Sequence, residues 1–567
     1  MKKHISLLIL VLIVLLSLTA CSKTSVKNIK NTTVTAQKDM FADGDYENES
    51  ETSCDSTITL SASSITLSDT SIGSASGSTL TITSKGTYYV TGSLTDGQII
   101  VNVKDDENVT LLFNNVTITN KTLCAVYFIN GNKLSLQFEG SNSFTTTSTF
   151  TTTSSDNIDG VIFAKDDLCI KGDGSITIKS SDHGIVAKDD LKIMGSTITV
   201  NAKSKGIDAN NSVRISDGTL NITSGTDGIH IEDSDDTSKG FFYMENGDIT
   251  IVSSLDGISS YLYTTIVSGD IDIETGSGST GSASSSLSYK GIKSNGDIQL
   301  GSVKIDINSQ DDAIHSNSNI LINGTNLTIK SGDDAIHADA YVNIYGGNID
   351  ITKSYEGIEG QYIIVDDGTI SVVASDDGFN AAGGNDSSST NGRIGQNSFA
   401  SSSTGSLTIN GGTITVNSQG DGLDANGAMY ISGGYIIVYG PTNNGNGAID
   451  YDTTFKITGG TLIAFGMSGM SMNASDASQG SILYNGTNTS SANSNFYVED
   501  SNGNILYEVT SLKSFNSVLI SASNIKKGST YTLTIGSSSV PVTMSSYIVS
   551  VGSQSMGGGM SGGMPRR

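Results

Sequence analysis

From about residue 160 to 466, apolar and polar positions alternate in short runs: LKIMG at 191–195, TITV at 197–200, SVRIS at 212–216, TLNITS at 219–224. Runs of this length, rich in Ile, Val and Thr and broken by Gly, Asn, Asp and Ser, predict β-strands with one face turned inward. Past residue 20 no stretch keeps a helical period. The runs recur with a marker phrase, an acid, a small residue and an apolar one: DGI at 227–229, DAI at 312–314 and 334–336, EGI at 356–358, DGF at 377–379 and DGL at 421–423. Centred on the small residue, the markers fall at 160, 184, 206, 228, 257, 291, 313, 335, 357, 378, 422 and 448, and the commonest spacing is 22. About three strands fit each 22-residue unit. One strand cannot bury its apolar face alone, so neighbouring units must supply the core, and the fold predicted is an all-β solenoid, a parallel β-helix.

The residue after the small one reads Val161, Ile185, Ile207, Ile229, Ile258, Ile292, Ile314, Ile336, Ile358, Phe379, Leu423 and Ile449. This predicts an inward column with about 4.8 Å between its members. Longer gaps mark inserted loops around 234–238, 277–286 and 383–406. Residues 54–150 lack the marker but read as strands, and are expected to form the N-terminal coils and cap of a helix running over 151–494. From 495 to 550 the rhythm suggests a small C-terminal β cap, and 551–567 is a Gly/Met-rich tail expected to be disordered.

The start, MKKH followed by an apolar run from Ile5 to Leu16, reads as a secretory signal over 1–20 and is too short for a membrane span. Leu18-Thr19-Ala20-Cys21 resembles a bacterial lipobox, which implies lipidation of Cys21, a polar tether over 21–53 and a place on the outer face of the cell membrane. Cys54, Cys124 and Cys169 are odd in number and lack metal spacing, so no disulfide framework is expected. The net charge of −26, with 57 acids against 31 bases, excludes nucleic acid as a partner. A monomer is expected.

Aligned on the marker, the residue before the small one is acidic at Asp159, Asp227, Asp256, Asp312, Asp334, Glu356, Asp377 and Asp421. The one before that is Asp at Asp182, Asp311, Asp333 and Asp376. Two residues after the small one come Asp208, His230, His315, His337, Glu359, Asn380, Asp424 and Asp450, on the face opposite the inward column. Stacked carboxylates repel unless neutralised, and calcium takes six to eight oxygens at roughly 2.3–2.6 Å. The densest set, Asp333, Asp334, Glu356, Glu359, Asp376, Asp377, Asn380, Asp421 and Asp424, is therefore the expected calcium site. Imidazole suits calcium poorly, so His315 and His337 are expected on neighbouring surface. Asp is also favoured at bends, where it accepts backbone N–H groups; the competing expectation is that these acids do only that.

The phrases SKGTYYVTGSLTDGQIIVNV at 84–103, VIFAKDDLCIKGDGSITI at 161–178, HGIVAKDDLKIMGSTITV at 183–200 and GGTLIAFGMSGM at 459–470 resemble the bacterial carbohydrate-binding β-helix domain family of cellulolytic clostridia. The resemblance implies a right-handed parallel β-helix with bound calcium, and binding of cellulosic and acidic plant polysaccharides such as pectin. That family is in turn similar to family-9 polysaccharide lyases, whose calcium phrase Asp-Asp-Gly-x-Asp is matched here by DDGFN at 376–380, with Asn380 in place of the last acid and Glu356 or Glu359 as the acid from the coil before. The lyases carry a basic Lys downstream of that phrase. Here Arg393 is the single base between 354 and 455, and Lys330 and Lys353 lie upstream. The expected function is non-catalytic, calcium-dependent polysaccharide binding. The alternatives are an adhesin or matrix protein with purely structural calcium, and a pectate-lyase-like enzyme. The sugar-contacting residues stay unassigned by the sequence.

Overall fold

The computed structural model describes residues 33–151, 157–233, 236, 238–281, 286–382 and 405–553. Cys21, Arg393 and the tail therefore lie outside the described residues, as do most of the 383–406 insert and parts of the other two.

The regular structure is nearly all β-strand, gathered mostly into one large mixed sheet. Each repeat has a short marker strand, such as Ile292–Ser294 or Ile314–Ser316, and a long strand carrying the next two runs, such as Ile298–Asn308 or Asn319–Lys330. Every marker strand pairs in parallel with the one a repeat later. Ile185, Ile207, Ile229, Ile258, Ile292, Ile314, Ile336, Ile358, Phe379, Leu423 and Ile449 stand directly in register, and all are buried in one continuous apolar core. The long strands bend at a column of glycines. Gly195, Gly218, Gly247 and Gly269 all have positive φ, and a Cβ on Gly269 would lie 2.4 Å from the carbonyl oxygen of Gly247.

The first marker is displaced by one residue from its expected place. Ile162, not Val161, stands against Ile185, and Gly160 stands against His183. The run Val161-Ile162-Phe163-Ala164 is buried on both faces, so its alternation is lost and the pattern cannot reveal its phase.

Both ends turn antiparallel. Ser56–Ala62 pairs antiparallel with Ser64–Leu67 and parallel with Gly86–Leu94. Thr461–Gly466 and Gly480–Ser490 both pair antiparallel with Phe515–Ala522, so the change of direction sets in before residue 495. Asn495–Glu499, Ile505–Thr510, Thr530–Ile535 and Ser538–Thr543 make a separate antiparallel sheet, with a second core around Phe465, Phe496 and Phe515. Edge strands offer unpaired N–H and C=O groups to other chains, and these end structures cover them.

Residues 37–53, expected as part of a free tether, instead lie against the sheet. Asp45 is buried there in ion pairs with Lys133 at 2.8 Å and Lys192 at 3.0 Å.

Ile336→Asp is expected to destabilise the stack by several kcal/mol, because it places an unpaired charge between Ile314 and Ile358. Urea unfolding measures this, and hydrogen exchange would show protection lost first in the repeats on either side. An unchanged midpoint would refute the column.

Candidate functional site

The parallel register that aligns the inward Ile residues also aligns the residue after each of them. Asp208, His230, Ser259, Lys293, His315, His337, Glu359, Asn380, Asp424 and Asp450 form one column across ten successive repeats. The column was expected to face solvent. In its middle it does not: His315, His337, Glu359 and Asn380 are buried.

The acids of the marker form a second column, and one oxygen of most of them is spent on the backbone. Asp227 accepts the N–H of Asp256 at 3.1 Å and Asp256 that of Lys290 at 2.8 Å. Asp312 accepts from Asp334 at 3.1 Å, Asp334 from Glu356 at 3.3 Å, and Asp377 from Asp421 at 2.6 Å. Asp421 accepts from Gly447. Turn chemistry thus explains why an acid stands at this position. It does not explain what the other oxygens do, and those divide the column into three clusters with different charge balance.

In the first cluster the chain brings its own cation. Lys290, standing where other markers have an acid, is fully buried and bridges Asp311 at 3.1 Å and Asp312 at 2.6 Å. Burial disfavours its ammonium, but Asp312 and Asp311 outweigh that and hold its pKa above the usual range. Asp312 also meets Nδ1 of His315 at 2.8 Å. Asp333, an expected calcium ligand, falls in this cluster beside Asp311 and Asp312, where the positive charge is already Lys290.

The second cluster is Asp334, His337 and Glu359. Nδ1 of His337 lies 2.7 Å from Glu359 and 3.3 Å from Asp334, and Nε2 lies 3.4 Å from Asp339. Burial opposes its charge, yet these carboxylates hold its pKa well above 6.5. Three carboxylates around one ring favour its protonated form, which would offset their charge. His315 and His337, placed by expectation on neighbouring surface, are instead stacked in the column, ring centroids 4.7 Å apart.

The third cluster has no Lys, Arg or His paired with it among the described residues. Asp377, Asp421 and Asp424 each bring a carboxylate oxygen within 4.8 Å of the others. Burial, then Asp421 and Asp424, push Asp377 up to about 8. Burial, then Asp421 and Asp450, push Asp424 up to about 7, and burial raises Asp421 to about 6. In register between Glu359 and Asp424, Asn380 donates Nδ2–H to Glu356 at 2.7 Å. Its Oδ1 is buried and accepts no hydrogen bond among the described residues. The three carboxylates, with Asn380 in register beside Asp424, offer the hard-oxygen chemistry that suits calcium. Asp376, predicted as a ligand beside Asp377, does not join the set; it hydrogen-bonds the Tyr355 hydroxyl.

The calcium set read from the sequence is therefore shared among the three clusters, and Asp377, Asn380, Asp421 and Asp424 are the members that stay together. The sequence reading missed Lys290. The signal was present, since Lys205 and Lys290 are the two markers with a Lys before the small residue, and Lys205 likewise pairs with Asp208 at 2.8 Å. Of the lyase-type bases, Lys353 donates to the Ser279 carbonyl rather than projecting freely, and Lys330 is exposed.

In chelator, stability is expected to fall as pH rises from about 4 to 8. Asp377, Asp424 and Asp421 titrate above the unfolded value of about 3.9, so the folded state holds protons that the unfolded chain releases. His337, raised in the folded state, contributes stability that is fully present below about 6.5 and lost at higher pH, in the same direction. Each pKa unit corresponds to about 1.4 kcal/mol, so a melting series in EDTA should lose several kcal/mol over this window. A flat series would contradict the charge balance described.

A sequence model of the carbohydrate-binding domain-containing protein family matches residues 76–335 and 333–529. A carbohydrate-binding domain-containing protein of Acetivibrio thermocellus is 38% identical over 200 residues, 34% of this chain and 70% of the relative. Among solved structures, the gadolinium derivative of the polysaccharide lyase-like protein from C. thermocellum is 30% identical, covering 39% of this chain and 91% of that one with a TM-score of 0.37.

Proposed function

This chain belongs to the family of carbohydrate-binding domain-containing proteins, and on that premise we propose that it is a non-catalytic, calcium-dependent binder of acidic polysaccharide. The observation that carries the reading is the cluster of Asp377, Asp421 and Asp424, without a compensating cation among the described residues, with Asn380 and its buried Oδ1 in register beside Asp424. Elsewhere in the columns Lys205, Lys290 and His337 balance the acids. Here they do not, and the four residues would hold a divalent ion. Calcium, when bound, supplies the local positive charge that a uronate carboxylate needs on a surface of this net charge. The parallel pairing at a 22-residue period supports reading the sheet as a parallel β-helix, with the columns along its length.

The test is capture of the protein on polygalacturonate, with calcium and then with chelator. Capture that needs calcium supports the reading, and undiminished capture in chelator sinks it. The depth of the cluster favours a second reading, since Asp377 and Asp424 are 7% and 9% exposed: the ion could be structural only, in an adhesin or matrix protein. A calcium-dependent melt without glycan capture would decide for that alternative. The engagement of Lys353 speaks against a lyase, and release of unsaturated uronate would reverse that view.

The proposal places the protein at the outer face of the cell membrane, anchored through Cys21 as a monomer. Cys21→Ala is expected to move it from the membrane fraction to the medium, and unchanged fractionation would contradict the anchor.

A further inference from the structure

The segment from Asp39 to Ser53 carries six acids and no base. It runs along the stack, crossing the strands of five successive repeats. The side-chain amide of Gln137 bonds both N–H and C=O of Glu49 at 2.7 Å. One repeat on, Lys171 donates to the carbonyl of Glu47. On the next, Lys192 meets Asp45, which Lys133 also reaches. Arg214 then donates to the carbonyl of Met40 at 3.2 Å, and the hydroxyl of Tyr243 accepts the N–H of Gln37 at 2.7 Å. Successive strands place these side chains about 4.8 Å apart along the stack. Lys192, Arg214 and Tyr243 stand in one register column, and Lys171 and Gln137 stand in the neighbouring one.

Five of these seven contacts go to the backbone, three of them to carbonyl oxygens, and only Asp45 answers with a carboxylate. The strip thus recognises an extended chain with oxygen acceptors at short intervals and negative charge, whatever its side-chain sequence. Four cations are concentrated here on a chain of net charge −26; besides the acidic segment they face Asp167, near Lys133 and Lys192, and Asp190, which pairs with Arg214 at 2.7 Å.

We propose that the strip Lys133, Gln137, Lys171, Lys192 and Arg214 is a second, calcium-independent site for a linear polyuronate, and that the chain's own acidic segment fills it. The inference rests on the family's carbohydrate binding and not on calcium. Segment and polyuronate compete for the same donors, so the site opens when the segment lifts. Asp45 is the group that holds it down. Its carboxyl is lowered to about 2, burial being outweighed by Lys133, Lys192 and the Ala42 N–H.

The experiment measures polygalacturonate binding in EDTA at low ionic strength, where surface charge is least screened. Five proteins are compared: the full chain, Asp45→Ala, the full chain with a protease site inserted between Cys54 and Asp55 and cut after folding, and each of these two opened forms combined with Lys192→Gln and Arg214→Gln. The opened forms are expected to bind at least tenfold more tightly than the full chain, and the double Gln change to remove that gain. The cut protein carries the test if Asp45→Ala fails to fold by circular dichroism. Opened forms that bind no better than the full chain would overturn the proposal, as would a gain that survives the two Gln substitutions. Full-chain binding in calcium, measured in parallel, reports on the carboxylate cluster alone, so the two readings fail separately.

Discussion

Lys290→Met is expected to destabilise the chain by roughly 3–5 kcal/mol, the usual cost of stripping one partner from a buried ion pair. The ammonium is fully buried and lies between two carboxylates that are also buried. Methionine fills much of the same volume but leaves Asp311 and Asp312 facing each other without a counter-charge, and His315 cannot serve both. Burial already lowers the pKa of His315, and Lys290 lowers it further. Removing the Lys should therefore let His315 take up a proton at higher pH, a partial compensation visible by NMR titration. Adding Asp311→Asn and Asp312→Asn to Lys290→Met should recover most of the loss, because a neutral buried set does not carry the desolvation cost of an uncompensated one. Urea midpoints of the three chains measure this. A single variant within 1 kcal/mol of the parent would show that the bridge is not what balances the column.

The second large effect is a change of sign. With Asp377→Asn and Asp424→Asn together, the chain is expected to be more stable than the parent in chelator near pH 8 and less stable in calcium. Without a metal, both carboxylates are held against burial and against each other, with values pushed up to about 8 and about 7. Asparagine removes that repulsion while keeping the shape. With calcium, the parent gains RT ln(1 + [Ca]/Kd), about 2.7 kcal/mol at a hundredfold excess over Kd, and the variant forgoes it. The melting curves of the two proteins should cross between the two buffers, and capture on polygalacturonate should be lost. A variant whose melting point still rises with calcium as the parent's does would remove these residues from the site. Loss of the calcium response with capture retained would separate metal from glycan.

The sequence was most legible where one residue repeats its environment. The apolar residue after the small one, Ile at most markers, is forced inward by the alternation around it, and its 22-residue spacing dictates parallel neighbours. It was least legible where alternation vanishes, as in Val161 to Ala164, where the phase slipped by one. The site was legible as columns but not as clusters. Asp377 and Asp421 look remote, 44 residues apart, yet they are neighbours, because the long insert after Ala381 returns to the next strand in the same register. The segment 37–53 read as a solvated tether because its composition is polar and acidic, and nothing local shows that Lys133, Lys192 and Arg214 will line up to receive it.

The chain alone thus determined the strands, their inward residues, the parallel stacking and the existence of acid columns, since all follow from periodicity and from the need to bury apolar faces. The tertiary structure decided which of those acids are buried together and which side chains stand beside them. A carboxylate's state depends on burial and on partners one repeat away. Lys290, His337 and the cluster of Asp377, Asp421 and Asp424 take their roles from neighbours brought close by stacking, a relation that no local pattern encodes.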